Sequence, residues 1–173
     1  MRAFGARLAG LLRPGDLVVL AGPLGAGKTT LVQGIGTGLG VRGPITSPTF
    51  VIARVHPSLR GGPDLVHADA YRLGSRIEVD DLDLDADLDH SVTVVEWGEG
   101  LVENLAAAHL LVDIGRPAAA AAPAGDSPAD GGDPGDGDDS DGTGDQPRTV
   151  TLTAYGDRWT GHAAPLAGAL APN

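Results

Sequence analysis

One segment of the sequence combines glycines, a lysine and a hydroxyl at a spacing that suits phosphate binding. Gly22-Pro23-Leu24-Gly25-Ala26-Gly27-Lys28-Thr29 fits the pattern G-x-x-x-x-G-K-[ST]. In such a loop the backbone N–H groups wrap a phosphate, and the start of the following helix adds partial positive charge. The lysine reaches the β- and γ-phosphates and the hydroxyl ligates Mg²⁺. We therefore predict a P-loop in which Leu24–Gly27, Lys28, Thr29 and Thr30 bind a nucleotide.

Lys28 is the single lysine of the 173 residues, whereas arginine occurs eleven times. A compact ammonium is thus kept at the position where a planar guanidinium would not fit. The absence of a second lysine also excludes the N-K-x-D segment by which GTPases select guanine. The sequence therefore favours ATP as the nucleotide.

Two apolar segments each end in a carboxylate. Val92-Thr93-Val94-Val95 is followed by Glu96, and Leu65-Val66-His67-Ala68 is followed by Asp69. A carboxylate at the end of a strand beside a P-loop typically holds the metal or positions the attacking water. We expect Glu96 to ligate the metal or to position the water, the alternative being an exposed acid at the end of its strand, and we expect Asp69 to act in the same site. His67 is expected to be a hydrogen-bonded structural residue.

Two further features could contribute to this site. The polar, proline-containing segment Thr46–Phe50 follows the P-loop helix, where a switch segment would carry a hydroxyl to the γ-phosphate, or it could be only a turn before a strand. Trp97 directly follows Glu96 and could stack or form a contact surface, or it could be a half-buried packing residue.

Strand and helix patterns alternate around these residues. The apolar spacing predicts helices over Ala3–Leu12 and Thr29–Leu39. Leu17–Ala21 is a continuous apolar run, typical of a strand buried on both faces. Further strands are predicted over Val51–Val55, Leu65–Ala68, Val92–Val95, Leu110–Ile114 and Thr149–Ala154. We expect an α/β fold, a P-loop NTPase-like sheet flanked by helices in a single domain.

One segment of the chain differs from the rest in its amino-acid composition. Residues 117–147 contain 8 Asp, 7 Gly, 7 Ala and 5 Pro, with no basic or aromatic residue. We predict a disordered acidic insertion, because such a composition buries too little apolar surface to offset the entropy of ordering. The domain then comprises residues 1–116 and the final strand region 148–160, and residues 161–173 form a flexible tail.

Charge and composition exclude several classes of function. The net charge is −11, but without the eight Asp of the insertion 12 basic groups face 15 acidic ones. Direct binding of DNA or RNA is not expected, because it needs clustered Lys and Arg. Cysteine is absent, which excludes disulfides, thiolate metal sites and cysteine nucleophiles. No apolar run reaches membrane-spanning length, so we expect a cytoplasmic protein without a membrane partner.

Four motifs taken together resemble the bacterial TsaE (YjeE/YdiB) family, the small ATPases of tRNA threonylcarbamoyladenosine synthesis. In order and spacing they are Gly25–Thr30, Ser47-Pro48-Thr49-Phe50, His67-Ala68-Asp69-Ala70-Tyr71-Arg72-Leu73 and Glu96-Trp97-Gly98-Glu99. The resemblance extends from about Phe4 to Trp159. Family members usually carry a strand before the first helix and lack the acidic insertion, and this sequence departs from both patterns.

The resemblance implies roles for individual residues. Lys28 and the amides of Gly25–Gly27 would bind the ATP phosphates, and Thr29 with Glu96 would hold Mg²⁺. Thr49 would be the switch threonine and Asp69 the second switch-like acid. Trp97 would lie beside the nucleotide, and Arg148 near the adenine.

The resemblance also implies a place in a larger assembly. The family acts with the proteins TsaB and TsaD, and reaches tRNA through them. ATP binding promotes assembly, and hydrolysis supports turnover of the enzyme that modifies adenosine 37 of ANN-decoding tRNAs.

Three activities fit the sequence. The first is an ATPase that is slow on its own, because no arginine finger is evident and Arg54 and Arg72 are the nearest candidates. The second is a small-molecule kinase, for which the Arg54–Arg60 loop would be a thin lid. The third is an interaction module that binds ATP and hardly hydrolyses it.

Overall fold

The computed structural model describes residues 1–48, 52–73, 88–115 and 148–160. In chain order its elements are α1 (Arg2–Ala9), β1 (Leu17–Ala21), α2 (Lys28–Leu39), β2 (Ala53–His56), β3 (Asp64–Asp69), β4 (Ser91–Glu96), β5 (His109–Gly115), β6 (Thr149–Tyr155) and α3 (Asp157–Thr160). Single 3₁₀ turns occupy Leu88–His90 and Glu103–Leu105.

The strands form one six-stranded sheet in the order β2-β3-β4-β1-β5-β6. The four inner strands β3, β4, β1 and β5 are parallel, and β2 and β6 pair antiparallel at the two edges. All five residues of β1 are buried, as its uninterrupted apolar sequence predicts. The carboxyl ends of the four inner strands therefore meet at one edge of the sheet, and the predicted α/β sheet is confirmed.

Both faces of the sheet carry a hydrophobic core. On one face, α1, α2 and α3 cover the sheet through buried residues that include Leu8, Leu31, Ile35 and Trp159. On the other face, Val102 and its neighbours in the segment after β4 pack against Leu17, Val19, Val66 and Val95. Alternate residues of β1 thus contribute to opposite cores, which fixes the register of the central strand.

Helices α1 and α2 approach each other closely because glycines lie at their contact. A Cβ atom on Gly34 would collide with the carbonyl oxygen of Arg2, and one on Gly5 would collide with that of Leu31. Glycine inside a helix costs about 1 kcal/mol relative to alanine. Here the lack of a side chain allows backbone-to-backbone packing that alanine would prevent.

The first helix ends slightly earlier than its apolar pattern predicts. The α-helix stops at Ala9, and N–H groups of residues 10–12 then bond three residues back, to Arg7, Leu8 and Ala9. These tighter turns carry the chain to Leu12. The predicted end at Leu12 therefore describes the end of the helical turns, and Gly10 marks where the α-helix itself ends.

A buried ion pair joins α3 to the start of β1. The Arg158 guanidinium donates from Nε and Nη2 to the two carboxylate oxygens of Asp16, each at 2.9 Å, and also to the carbonyl of Leu11 at 2.9 Å. Asp16 is 3% exposed, and the neighbouring Trp159 is fully buried. This contact anchors the segment after β6 to the centre of the fold.

Several predictions lie outside the described residues. These are the disordered state of residues 117–147, the flexible tail 161–173, the switch role of Thr49 and the start of the predicted strand at Val51. Within the described ranges, no helix combines the length and apolarity needed to cross a membrane.

Replacing Arg158 by alanine tests the ion pair. We expect Arg158→Ala to lower the free energy of unfolding by about 3 kcal/mol, because it leaves the buried Asp16 carboxylate without its charge partner. Urea unfolding followed by circular dichroism measures the change. Arg54→Ala, which removes an exposed arginine from the edge strand β2, is the matched control and should shift the value by less than about 0.5 kcal/mol. Equal losses in the two variants would contradict this role of Arg158.

Candidate functional site

The predicted P-loop connects β1 to α2 directly at the carboxyl edge of the sheet. Its two ends require glycine. Gly22 has φ 124°, and a Cβ there would collide with the carbonyl oxygen of Ile114 on β5. Gly27 has φ 105° and is the residue that precedes the first turn of α2. Both positions lie in a backbone region that side chains disfavour, so the glycines of the motif are explained by the chain path itself.

A cavity of about 440 Å³ lies in front of this loop. Its lining consists of the loop and the start of α2, together with residues at the ends of β3 and β4: Leu24, Gly25, Ala26, Gly27, Lys28, Thr29, Thr30, Ser47, Asp69, Tyr71, Glu96 and Trp97. Crevices at the carboxyl ends of parallel strands are the usual ligand sites of open α/β sheets. The structure thus brings most of the predicted site residues to one cavity.

Lys28 is 5% exposed and is held by the loop that carries it. Its Nζ donates to the carbonyl oxygens of Gly22 at 2.7 Å and Pro23 at 3.0 Å, and lies 3.6 Å from the ring centroid of Trp97. Burial lowers the pKa of the Lys28 ammonium below 10.5, and the carboxylates of Glu96 and Asp69 oppose this by favouring the charged form. The single lysine is therefore a partly desolvated cation facing two acids.

Thr29 and Glu96 meet across the cavity floor. The Thr29 hydroxyl donates to Glu96, with Oγ1 at 2.9 Å from Oε1 and 3.1 Å from Oε2. Hydroxyl and carboxylate oxygens are ligand atoms that Mg²⁺ prefers. Mg²⁺ commonly keeps several waters and takes phosphate oxygens as its other ligands. The described residues hold no group of three His, Cys, Asp or Glu side chains placed to bind a metal by themselves. The donor set fits a Mg²⁺ ion completed by phosphate and water.

Asp69 is oriented by two hydrogen bonds on its own side of the cavity. The hydroxyl of Ser47 donates to Oδ2 at 3.1 Å, and the backbone N–H of Tyr71 donates to Oδ1 at 2.9 Å. The parallel register places Asp69 directly opposite Glu96. Both carboxylates therefore face the P-loop from adjacent strands.

Trp97 adopts a left-handed backbone conformation, with φ 61°. Its N–H donates to the carbonyl of Leu20 at 3.0 Å, which holds the turn after β4 against β1. The ring lies 5.2 Å from that of Tyr71, centroid to centroid. A bulky residue in this region costs of order 1–3 kcal/mol, and such strain concentrates at functional sites. The turn aims the indole at the P-loop lysine.

Of the described residues that the sequence singled out, Arg148, Arg54 and Arg72 do not line this cavity. Arg148 lies just before β6, whose first residue pairs with Gly115 at the end of β5. Its contact with adenine stays a prediction, as does the switch role of Thr49, which lies outside the described residues. Arg54 is exposed on β2, and like Arg72 it is not among the lining residues.

The contact between His67 and Glu96 was not predicted from the sequence. The imidazole Nε2 lies 2.9 Å from Glu96 Oε1, and His67 is fully buried. The expectation of a hydrogen-bonded histidine is confirmed, but its partner depends on the register between β3 and β4. Ser47 and Tyr71 also line the cavity. From the sequence they were recognised only as members of the motifs Ser47–Phe50 and His67–Leu73.

Comparisons with known proteins agree on one family. The family model described as "Threonylcarbamoyl adenosine biosynthesis protein TsaE" matches residues 1–121. A tRNA threonylcarbamoyladenosine biosynthesis protein TsaE from Streptomyces coelicolor is 55% identical over 170 residues, covering 97% of this chain and 100% of that protein. The protein of the same name from Bacillus subtilis is 33% identical over 152 residues, covering 87% and 77% respectively.

A solved structure supports the same assignment. The crystal structure of YdiB from Bacillus subtilis superposes with a TM-score of 0.64 at 29% identity, covering 96% of this chain and 86% of that one.

Because Lys28 is the single lysine, the protonation of its side chain can be measured directly. With ¹³C-lysine labelling, one Cε signal reports Lys28, and we expect its titration midpoint below 10.5 because burial disfavours the ammonium. Glu96→Gln should lower the midpoint further, since it removes an attraction that favours the charged form. Asp64→Asn, at the opposite end of β3, should leave it unchanged. A wild-type midpoint at or above 10.5, or a rise in Glu96→Gln, would refute this description of the site.

Proposed function

The chain belongs to the TsaE family, which acts in tRNA threonylcarbamoyladenosine biosynthesis, and we propose that within that pathway it is a cytoplasmic, Mg²⁺-dependent ATPase. The observation that carries this proposal is the cluster of Lys28, Thr29 and Glu96. A buried ammonium and a hydroxyl start the P-loop helix, and the hydroxyl lies 2.9 Å from a strand-end carboxylate. This is the set of groups by which P-loop NTPases hold phosphates and metal.

The charges of the cavity support a requirement for a divalent cation. Lys28 faces the carboxylates of Glu96 and Asp69, so the charged side chains of the described lining would by themselves repel the triphosphate of ATP. When bound, Mg²⁺ would supply the positive charge that offsets the negative charge developing during transfer. Thr29 and Glu96 would hold it.

The residues of the chain then have separate tasks. The amides of Leu24–Gly27 and the start of α2 would wrap the phosphates. Lys28 would exchange its contacts with the loop carbonyls for the β- and γ-phosphates, and Asp69 or Thr49 would orient the attacking water. Among the described lining residues Lys28 is the one cation and no arginine is present, so turnover by the isolated protein would be slow.

We further propose that the chain works with TsaB and TsaD and reaches tRNA only through them. Leu24 is 84% exposed at the P-loop and Tyr71 is 64% exposed across the cavity. Two exposed apolar side chains at the rim would let a partner contact the protein at the place where nucleotide changes the surface. ATP binding would then favour assembly, and hydrolysis would release it.

Product analysis distinguishes this proposal from a kinase. Incubated with ATP and Mg²⁺, the protein should release ADP and free phosphate slowly, with no phosphorylated metabolite in a cell extract. Lys28→Ala should lower kcat/KM by at least about 100-fold, since it removes the cation at the transferred phosphoryl group. Arg60→Ala, which removes an exposed loop cation, should leave the rate unchanged. Phosphate that appears on an added metabolite would contradict the ATPase.

Association with TsaB and TsaD tests the partner proposal. We expect the two proteins to be retained with the tagged chain in ATP and Mg²⁺, and to be lost with Lys28→Ala. Glu96→Ala distinguishes the ATPase from an interaction module that binds ATP and hardly hydrolyses it. Such a module never needs hydrolysis, so it would assemble and dissociate as before. Absence of association under every nucleotide condition would reject the partners.

A further inference from the structure

Among the described residues His67 has one polar contact, and that contact is with a proposed metal ligand. The residue is 0% exposed in the middle of β3, and its Nε2 lies 2.9 Å from Glu96 Oε1. Its other ring nitrogen, Nδ1, is buried without a hydrogen-bond partner among the described residues. Placing a polar ring with an unpaired nitrogen in a sheet interior costs free energy that an apolar residue would avoid. The contact with Glu96 is therefore the reason for an imidazole at this position.

The direction of this hydrogen bond follows from its acceptor. An ionised carboxylate only accepts, so Nε2 carries the proton and donates it to Oε1. The Thr29 hydroxyl oxygen lies 2.9 Å from Oε1 and 3.1 Å from Oε2, so its single proton is shared between the two oxygens. His67 contacts Oε1 alone, which leaves Oε2 with more free acceptor capacity for a metal or a metal-bound water.

We propose that His67 is the positioning residue that holds Glu96 in its metal-binding orientation; this inference rests on the proposed Mg²⁺-dependent function. The N–H of His67 fixes Oε1, and Oε2 then stays close to the start of α2, 3.1 Å from the Thr29 hydroxyl oxygen. Without it the carboxylate can rotate about its terminal bonds and the metal site loses its shape. Groups that orient a metal ligand in this way commonly control metal affinity by 10- to 100-fold.

Two amide substitutions distinguish hydrogen-bond donation to Glu96 from the mere presence of a polar side chain at position 67. Glutamine carries an N–H donor at about the reach of Nε2, whereas the donor of asparagine ends near the position of Nδ1. His67→Gln should thus keep the hydrogen bond to Glu96, and His67→Asn should lose it. Both are polar and uncharged, so they disturb the buried environment in a similar way.

The readout is the Mg²⁺ concentration at which ATP binding is half-maximal, measured by equilibrium dialysis of the full chain. We expect His67→Asn to raise this midpoint by about tenfold or more and His67→Gln to stay within roughly threefold of wild type. ATP binding in excess EDTA should be the same in all three proteins, because His67 does not line the cavity. Circular dichroism establishes that each variant is folded, and His67→Ser replaces His67→Asn if the latter is not.

His56 provides the matched control. It is 3% exposed on the adjacent strand β2, and its Nδ1 lies 3.2 Å from the carbonyl oxygen of Arg42, away from the cavity. His56→Asn should leave the Mg²⁺ midpoint unchanged. An equal midpoint in His67→Asn and His67→Gln, or an equal shift in His56→Asn, would overturn the positioning role while the ATPase proposal stands. Wild-type protein whose ATP binding ignores Mg²⁺ would instead overturn the proposed function, and this inference with it.

Discussion

The parallel register of β3, β4 and β1 is the constraint on which the site depends. It places Asp69 opposite Glu96 and Glu96 opposite Leu20, one residue before the chain leaves β1 for the P-loop. Two acids distant in sequence from the phosphate loop are thereby brought to it by backbone hydrogen bonds. A slip of one residue would turn Glu96 to the opposite face of the sheet, because side chains alternate along a strand. The hydrophobic cores on both faces resist such a slip.

Four buried polar or charged side chains gather at this site. Lys28, Asp69, Glu96 and His67 are all buried, and each contacts another polar group of the site or of its loop. The left-handed conformation of Trp97 adds backbone strain at the same place. Buried charge and strain both lower stability, so their concentration at one cavity is consistent with selection for function there. The Arg158–Asp16 pair, at the opposite end of β1, serves stability instead.

Local features could be predicted well from the sequence. β1 has the bounds that its apolar run predicts, and α2 starts one residue before its predicted start, because the glycine motif and the helix signals act within a few residues. Long-range features could not be predicted. The sequence places His67 and Asp69 on one face of a strand, but only the pairing with β4 shows that His67 meets Glu96. Trp159 likewise reads as part of a short C-terminal segment, although it is fully buried in the core on the helical face of the sheet.

The decisive measurement is a calorimetric titration of ATP into the intact chain. We expect saturable binding of one ATP per chain when Mg²⁺ is present, and much weaker binding in EDTA, because a lone ammonium faces two carboxylates in the cavity. Binding of equal strength with and without Mg²⁺, or no uptake of ATP by the folded protein in either condition, would contradict the account.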